Sequence, residues 1–272
     1  MIEPTVYEMI TVALAHDLKD GDVGFTGLTT GSAAARFATS IPLAAAELAR
    51  RTHAPNLTIM LAGHFHNPNL SKIASLPDSE FSEELRDLEC EIQSKGFPNH
   101  PWVMKRGDIS FGFSSGVQVD RQGNLNSVCI GDYRKPKVRL IGPVLQPEHF
   151  ALFGREYIMM PHHTPRNFVE KVDFVSGVGY PGGLKGRAEL GLDWGGPEQV
   201  ITPKCIFDFD KDAGDIRVKS IHPGVTQQDL RDATGFDLGP LDDVPETPVP
   251  SEEDVRILRE KVDPNGLLLP QA

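Results

Sequence analysis

Apolar residues at Val6, Ile10, Ala13, Leu14 and Leu18 recur at helical spacing, and Asp20-Gly21 closes that pattern before a short strand over Asp22 to Thr26. The alanine-rich stretch Ser32 to Arg51 predicts a second helix that packs closely on a sheet. Pro42 lies inside it; a proline removes a backbone donor and clashes one turn back, so a kink or a junction of two helices is expected near Ile41. Asn56 to Ala62 is apolar enough to be an interior strand. Beyond Gly63 the pattern loosens, with a turn at Asn67-Pro68-Asn69, an acidic amphipathic helix from Ser82 to Ser94 and a break over Gly96 to Pro101. Strand character returns over Asp108 to Val119, reverses at Asp120 to Asn124 and continues through Leu125 to Ile130. Runs rich in β-branched and aromatic residues predict further strands at Val138 to Ile141, Tyr157 to Met160, Val169 to Val175, Lys204 to Phe209 and Ile216 to Ile221. Thr226, with Asp229 three residues on, caps a short helix ending near Thr234. Leu238 to Pro250 holds four prolines and reads as an extended connector. The last helix opens at Ser251, buries Val255, Leu258 and Val262, and stops at Asp263-Pro264.

These elements make an open α/β sheet flanked by helices. They form a single domain over residues 1–237, with an inserted, lid-like segment at 63–107, followed by the connector and helix of residues 238–272. A chain of 272 residues buries a sizeable core without a staple. Its three cysteines, Cys90, Cys129 and Cys205, show neither disulfide-framework nor zinc spacing. A net charge of −11 argues against nonspecific nucleic-acid binding and against an anionic membrane surface, because both need clustered cations. No apolar run approaches the roughly 20 residues of a membrane span. The start lacks the basic and apolar regions of a secretory signal, so a cytoplasmic location is expected.

Candidate chemistry is sparse. His64 and His66 follow a strand end, and an imidazole titrating near neutrality can act as general acid or base. Ser114-Ser115-Gly116 follows another strand, where free backbone amides can polarise a carbonyl. Ser176, Gly177 and Gly179 supply a small-residue turn where ligands of open α/β sheets bind, although most glycine-rich turns hold no ligand. His162-His163 invites a metal reading, yet adjacent histidines rarely chelate one ion, and a packing or surface role is favoured. No Walker loop or H-E-x-x-H is present, and the glycines from Gly177 precede no convincing helix of a dinucleotide-binding unit.

Five blocks taken in order resemble the β subunits of class I coenzyme A-transferases: Gly27-Leu-Thr-Thr-Gly31 with Pro42-Leu-Ala-Ala-Ala46, Arg50-Arg-Thr-His-Ala-Pro55, Gln118 to Asn126, Phe168 to Tyr180, and Phe207 to Val262. The likeness is to the glutaconate CoA-transferase type. In Ser220-Ile-His-Pro-Gly-Val-Thr226, Arg231-Asp-Ala-Thr234 and Val262-Asp-Pro264 it is to the actinobacterial hydrolase that opens a steroid-derived ring as its CoA thioester. The resemblance implies an obligatory α subunit in an α2β2 assembly, an active site at the subunit interface, and a CoA thioester as substrate with no permanently bound cofactor or metal. It further implies a glutamate nucleophile just after the strand that matches Thr58 to Ala62, but Met60-Leu-Ala-Gly-His-Phe-His66 contains no acid. A neutral imidazole cannot carry the anhydride and thioester intermediates that a carboxylate supports. His64 is therefore the candidate catalytic group on this chain, and Gly63, His66, Ser114, Ser115, Gly116, Ser176, Gly177 and Gly179 are candidates for binding substrate or CoA. Gly142-Pro-Val-Leu-Gln146 stands where many relatives carry a glycine-rich loop beside CoA, and its loss of glycines suggests a changed or α-supplied binding surface. Hydrolytic carbon–carbon opening of a ring-containing or dicarboxylic acyl-CoA is the favoured reaction. CoA transfer with the glutamate on the α subunit, and a noncatalytic scaffold, are the alternatives.

Overall fold

The computed structural model of the chain describes residues 3–29, 31–73, 75–77, 79, 82–93 and 105–270. Two compact units account for them, the first from Met1–Met104, Ile109–Phe113 and Pro248–Ala272, the second from Lys105–Asp108 and Ser114–Thr247.

The first unit opens with helix α1 (Val6–Ala15), whose Thr5 side chain accepts from the Glu8 amide while the Glu8 carboxylate accepts from the Thr5 amide. The alanine-rich pattern is two helices, α2 (Ser32–Ala35) and α3 (Ile41–Thr52), joined by a π-helical turn over Arg36–Ser40. The expected discontinuity at Pro42 is thus met by widening the turn before it, and Pro42 sits in the first turn of α3, where a missing donor costs little. Strands β1 (Val23–Thr26), β2 (Thr58–Leu61), β3 (Phe65–Pro68), β4 (Cys90–Gln93) and β5 (Phe111–Ser114) lie in the order β5-β1-β2-β3-β4. The first three of that order run parallel and the last two antiparallel. Gly24 is required in β1, since a Cβ there would lie 2.1 Å from the Phe111 ring. Helix α1 packs on α3, and the C-terminal helix Glu252–Ile257, extended by a π-helical turn to Val262, buries Val255, Leu258 and Val262 as its spacing predicts. Arg259 of that segment forms a two-pronged ion pair with Glu8.

Two expectations fail in this unit. The helix expected over Ser82 to Ser94 does not form in its described part, residues 82–93: Glu83–Leu85 makes one 3-10 turn, and Cys90–Gln93 becomes the edge strand β4. Its acidic residues do not coat a helix. Glu91 pairs with Arg50 and Glu89 with Lys72, so the charges protect a sheet edge. The reversal expected at Asn67-Pro68-Asn69 occurs earlier, at Ala62-Gly63, both with positive φ (51° and 73°), and Asn67 and Pro68 end β3. The Asn67 side chain accepts from the Ile59 amide and donates to Glu91 (2.9 and 2.7 Å), standing in for a ladder partner. The predicted break over residues 96–101 and the acid at position 78 lie outside the described residues.

In the second unit, β6 (Gln118–Val119) and β7 (Leu125–Asn126) form the predicted hairpin. Asp120 pins its turn by accepting from the Gln122 and Asn124 amides and the Asn124 side chain. A second small hairpin joins β8 (Cys129–Ile130) to β9 (Val138–Arg139). Helix α4 (Gln146–Leu152) leads to β10 (Arg155–Met159), which pairs in parallel with β11 (Pro197–Ile201). Strands β12 (Cys205–Asp210) and β13 (Asp215–Ile221) follow antiparallel. Helix α5 (Gly183–Glu189) lies between β10 and β11 in the chain, and α6 (Gln227–Ala233) carries the full Thr226/Asp229 capping box. The core gathers Val119, Leu125, Phe150, Ile158, Phe168, Tyr180, Val200, Phe207 and Leu230.

The strand expected over Val169 to Val175 is absent. Only Phe168 and Gly177, on either side, bridge to Val119 and Leu125. Side chains replace the ladder: Asp120 accepts from the Val172 amide and Gln118 from the Asp173 amide, which leaves Val175 44% exposed. Strand β11 and helices α4 and α5 have no counterpart in the sequence prediction.

Candidate functional site

In the first unit the chemistry-bearing residues follow the carboxyl end of the parallel strand β2. The Ala62-Gly63 turn, closed by the His64 amide donating to the Leu61 carbonyl at 3.1 Å, sets His64 in the loop and His66 in β3 opposite Met60 and Ile92. Positive φ at Ala62, a non-glycine residue, stores strain at the position where the resemblance calls for a nucleophile. The His66 ring is half-buried, its Nε2 has no partner among the described residues, and desolvation holds its pKa below the usual imidazole value, so the ring is neutral at pH 7. At the end of β1, Thr26 donates to the Ala38 carbonyl (2.7 Å) and Thr39 to the Gly27 carbonyl (2.9 Å), tying the Gly27 loop to the π-helical turn.

In the second unit, Ser114 ends β5 and the chain turns through Ser115-Gly116-Val117. This turn is held from two sides. Ser114 donates to Glu156 Oε1 on β10, and the same oxygen lies 3.3 Å from His149 Nδ1 on α4. From the other side, Gln146 donates to the Ser115 carbonyl at 2.7 Å and accepts from Ser176 and Ser127 (2.9 and 2.7 Å). Glu156 is fully buried and its Oε2 has no partner among the described residues. Gly116 cannot carry a side chain, because a Cβ would sit 2.6 Å from the Asn126 carbonyl. The amides of Ser115 and Gly116 donate to no protein acceptor among the described residues, and both residues are partly exposed. A rigid turn with two available amides is an arrangement that can stabilise a developing oxyanion.

Ser176, Gly177 and Gly179 occupy buried positions. Ser176 donates to the Leu125 carbonyl and joins the Gln146 network. A Cβ at Gly177 would meet the Phe150 ring at 2.6 Å, and one at Gly179 would lie 2.0 Å from the Gln122 carbonyl. Of the predicted site residues, then, Ser114, Ser115 and Ser176 are each held by side-chain hydrogen bonds around one turn that includes Gly116, while Gly177 and Gly179 fit closely against the core. His162 is exposed, whereas His163 stacks on Phe168 (4.0 Å between centroids) and hydrogen-bonds Thr202 and Thr234. Burial pushes the His163 pKa down to about 3. Among the described residues no group of His, Cys, Asp and Glu is placed to hold a metal ion, and no helix is long and apolar enough to cross a membrane.

Glu156, His149 and Gln146 were not singled out from sequence. Glu156 offered one signal: an acid in front of the apolar run Tyr157 to Met160 must either face solvent or find partners inside.

Known proteins share this architecture. The coenzyme A transferase family model matches residues 7–233. The B subunit of the 3-oxoadipate CoA-transferase of Pseudomonas knackmussii is 35% identical over 93% of this chain and 91% of its own length. A chain of the glutaconate coenzyme A-transferase structure from Acidaminococcus fermentans is 27% identical, with a TM-score of 0.78 over 99% of this chain and 98% of that one. The cholesterol ring-cleaving hydrolase IpdB subunit of Rhodococcus jostii is 32% identical over 55% of this chain and 58% of its own. A chain of the Rhodococcus jostii IpdAB structure gives a TM-score of 0.75 at 26% identity over 98% and 97% of the two chains. The chain belongs to the coenzyme A transferase family.

Proposed function

We propose that this chain works with an α-type coenzyme A-transferase subunit on an acyl-CoA thioester, and that the pair opens a carbon–carbon bond of a ring-containing or dicarboxylic acyl group by hydrolysis. The observation that carries the reading is the turn after β2, where Ala62-Gly63-His64 offers no carboxylate to form an acyl anhydride. Glu156 does not substitute for one, because it is fully buried and engaged with Ser114 and His149. In the proposed reaction, water bonds to a ring carbonyl carbon and the electrons of the broken carbon–carbon bond pass to the carbon next to the thioester. That carbon takes up a proton, and the water's proton goes to a base. His64 is the candidate acid or base of the first unit, the amides of Ser115 and Gly116 in the second can polarise a carbonyl, and the partner supplies the principal carboxylate.

CoA transfer is the second reading, favoured by the likeness to a 3-oxoadipate CoA-transferase along nearly the full chain. The two separate in one assay of the co-purified complex against a panel of acyl-CoAs, with and without an acceptor carboxylic acid. Acyl-chain opening without acceptor supports hydrolysis. Turnover that requires acceptor and leaves the acyl skeleton whole sinks it in favour of transfer.

A further inference from the structure

The chain has 27 basic residues against 38 acidic ones, yet four cations, Arg134, Lys135, Lys137 and Arg139, fall within nine residues of one exposed hairpin that holds a single carboxylate, Asp132. Asp132 accepts from the Arg134 amide at 2.7 Å. None of the four cations pairs with a carboxylate among the described residues. Unpaired cations at this density repel one another and are stabilised by a bound polyanion.

The cations stand on a firm base. The Arg139 guanidinium lies 4.8 Å from the centroid of the Tyr133 ring, which in turn stacks on Phe174 with centroids 5.1 Å apart. Asp173 holds the neck by accepting from the Gly131 amide and from Gln118 (3.0 and 3.1 Å). The root of the hairpin is bonded to the amide turn of the candidate site: Asn126 donates its side-chain amide to the Cys129 carbonyl and accepts the Val117 amide through its own carbonyl, both at 2.8 Å. From Cys129 to Tyr133 the extended chain reaches at most about 13 Å, a distance that a pantetheine arm spans.

We infer that the β8–β9 hairpin binds the phosphates of the adenosine 3′-phosphate 5′-diphosphate end of the CoA thioester, while the Ser115-Gly116 turn holds its carbonyl end. This rests on the acyl-CoA reading above and names the residues that would recognise the nucleotide.

The test compares a CoA thioester with the pantetheine thioester of the same acyl group, turned over by the full chain in complex with its partner. Lys135→Ala with Lys137→Ala should raise the ratio of KM for CoA thioester to KM for pantetheine thioester roughly tenfold, since exposed charge-assisted contacts give that order of discrimination. The wild-type ratio should also climb with added salt. The control pair Arg256→Ala with Lys261→Ala, which removes the same charge elsewhere, should leave the ratio in place. An unchanged ratio in the hairpin variant overturns the inference and leaves the acyl-CoA reading standing. So does loss of co-purification, because the cations would then be meeting an acidic partner surface. If neither thioester is turned over or bound by the wild-type complex, both fall.

Discussion

Cutting the Glu8–Arg259 clamp should loosen the first unit by about 2–3 kcal/mol. Arg259 donates from Nε and Nη2 to the two Glu8 oxygens at 2.6 and 2.8 Å, and from Nη2 to the Glu3 carbonyl at 3.1 Å. Glu8 is only 2% exposed, whereas the Arg259 side chain is 26% exposed. Each charge-assisted bond contributes about 1.5–3 kcal/mol in a buried setting. Partial exposure of the guanidinium and the entropy of holding it reduce the pair to about 2 kcal/mol of coupling. Arg259→Ala leaves a buried carboxylate without a cation, held by Thr5, whose amide is 2.7 Å away. Glu8→Ala also loses the capping box, for about 1 kcal/mol more. The measurement is a double-mutant cycle followed by hydrogen exchange in α1 and by thermal melting, where 2 kcal/mol lowers Tm by roughly 4–8 °C. Burial raises the Glu8 pKa, but hydrogen bonds from Arg259 and Thr5 outweigh it and hold the carboxyl below its ordinary value of 4.5. The unfolded state therefore binds more protons just below that pH. The clamp contributes fully above about pH 4.5 and is lost as pH falls through the folded value. If the two single variants add to within about 0.5 kcal/mol of the double, the reasoning is refuted.

Gly179→Ala should destabilise the second unit by about 3 kcal/mol or more, because its methyl group would be driven into backbone at 2.0 Å that cannot move aside; a urea midpoint within error of wild type would contradict this. His163, neutral in the fold with a pKa of about 3, makes the unfolded chain the stronger proton binder between roughly pH 6.5 and 3. Stability should fall as pH drops through that window, and the slope should flatten in His163→Gln; an identical slope would assign the acid sensitivity elsewhere. His64→Ala should lower kcat of the complex about 100-fold with little change in KM, and full turnover would remove His64 from the mechanism. Thr226→Ala should cost about 1 kcal/mol of α6 stability through loss of its cap, read from circular-dichroism melts.

Periodicity and caps were the most readable features of the chain. The Thr226 box, the buried face of the last helix, the Asp120 turn and the discontinuity at Pro42 each depend on contacts within a few residues, so local sequence suffices to find them. The run Val169 to Val175 has strand composition, but after the Val169 amide, which donates to the Val119 carbonyl, the Val172 and Asp173 amides go to the side chains of Asp120 and Gln118 some fifty residues away instead of to a ladder. Helix α4 carries Pro147 in its first turn, where a proline is tolerated, and its seven residues are too few to show a helical period. Helix α5 is glycine-rich, and its fully buried Arg187 donates to the carbonyls of Val178, Gly179, Phe150 and Trp194, a tertiary support no propensity reports. The candidate site divides the same way. Small residues at turns were visible along the chain, whereas Glu156, His149 and Gln146 gain meaning only once β10 and α4 carry them to Ser114 and Ser115.

The clamp between Glu8 and Arg259 joins residues 251 positions apart in the chain, and this sets an order for assembly during synthesis. At ribosomal rates roughly ten to fifty seconds pass between the emergence of the two partners. Through that interval α1 and α3 must wait without the segment that covers them, while the second unit, almost all of it one unbroken stretch, can close first. The unit made first is thus finished last. Substitutions on the buried faces of α1 and α3 should therefore reduce the yield of folded chain in cells by more than their cost to the finished protein predicts.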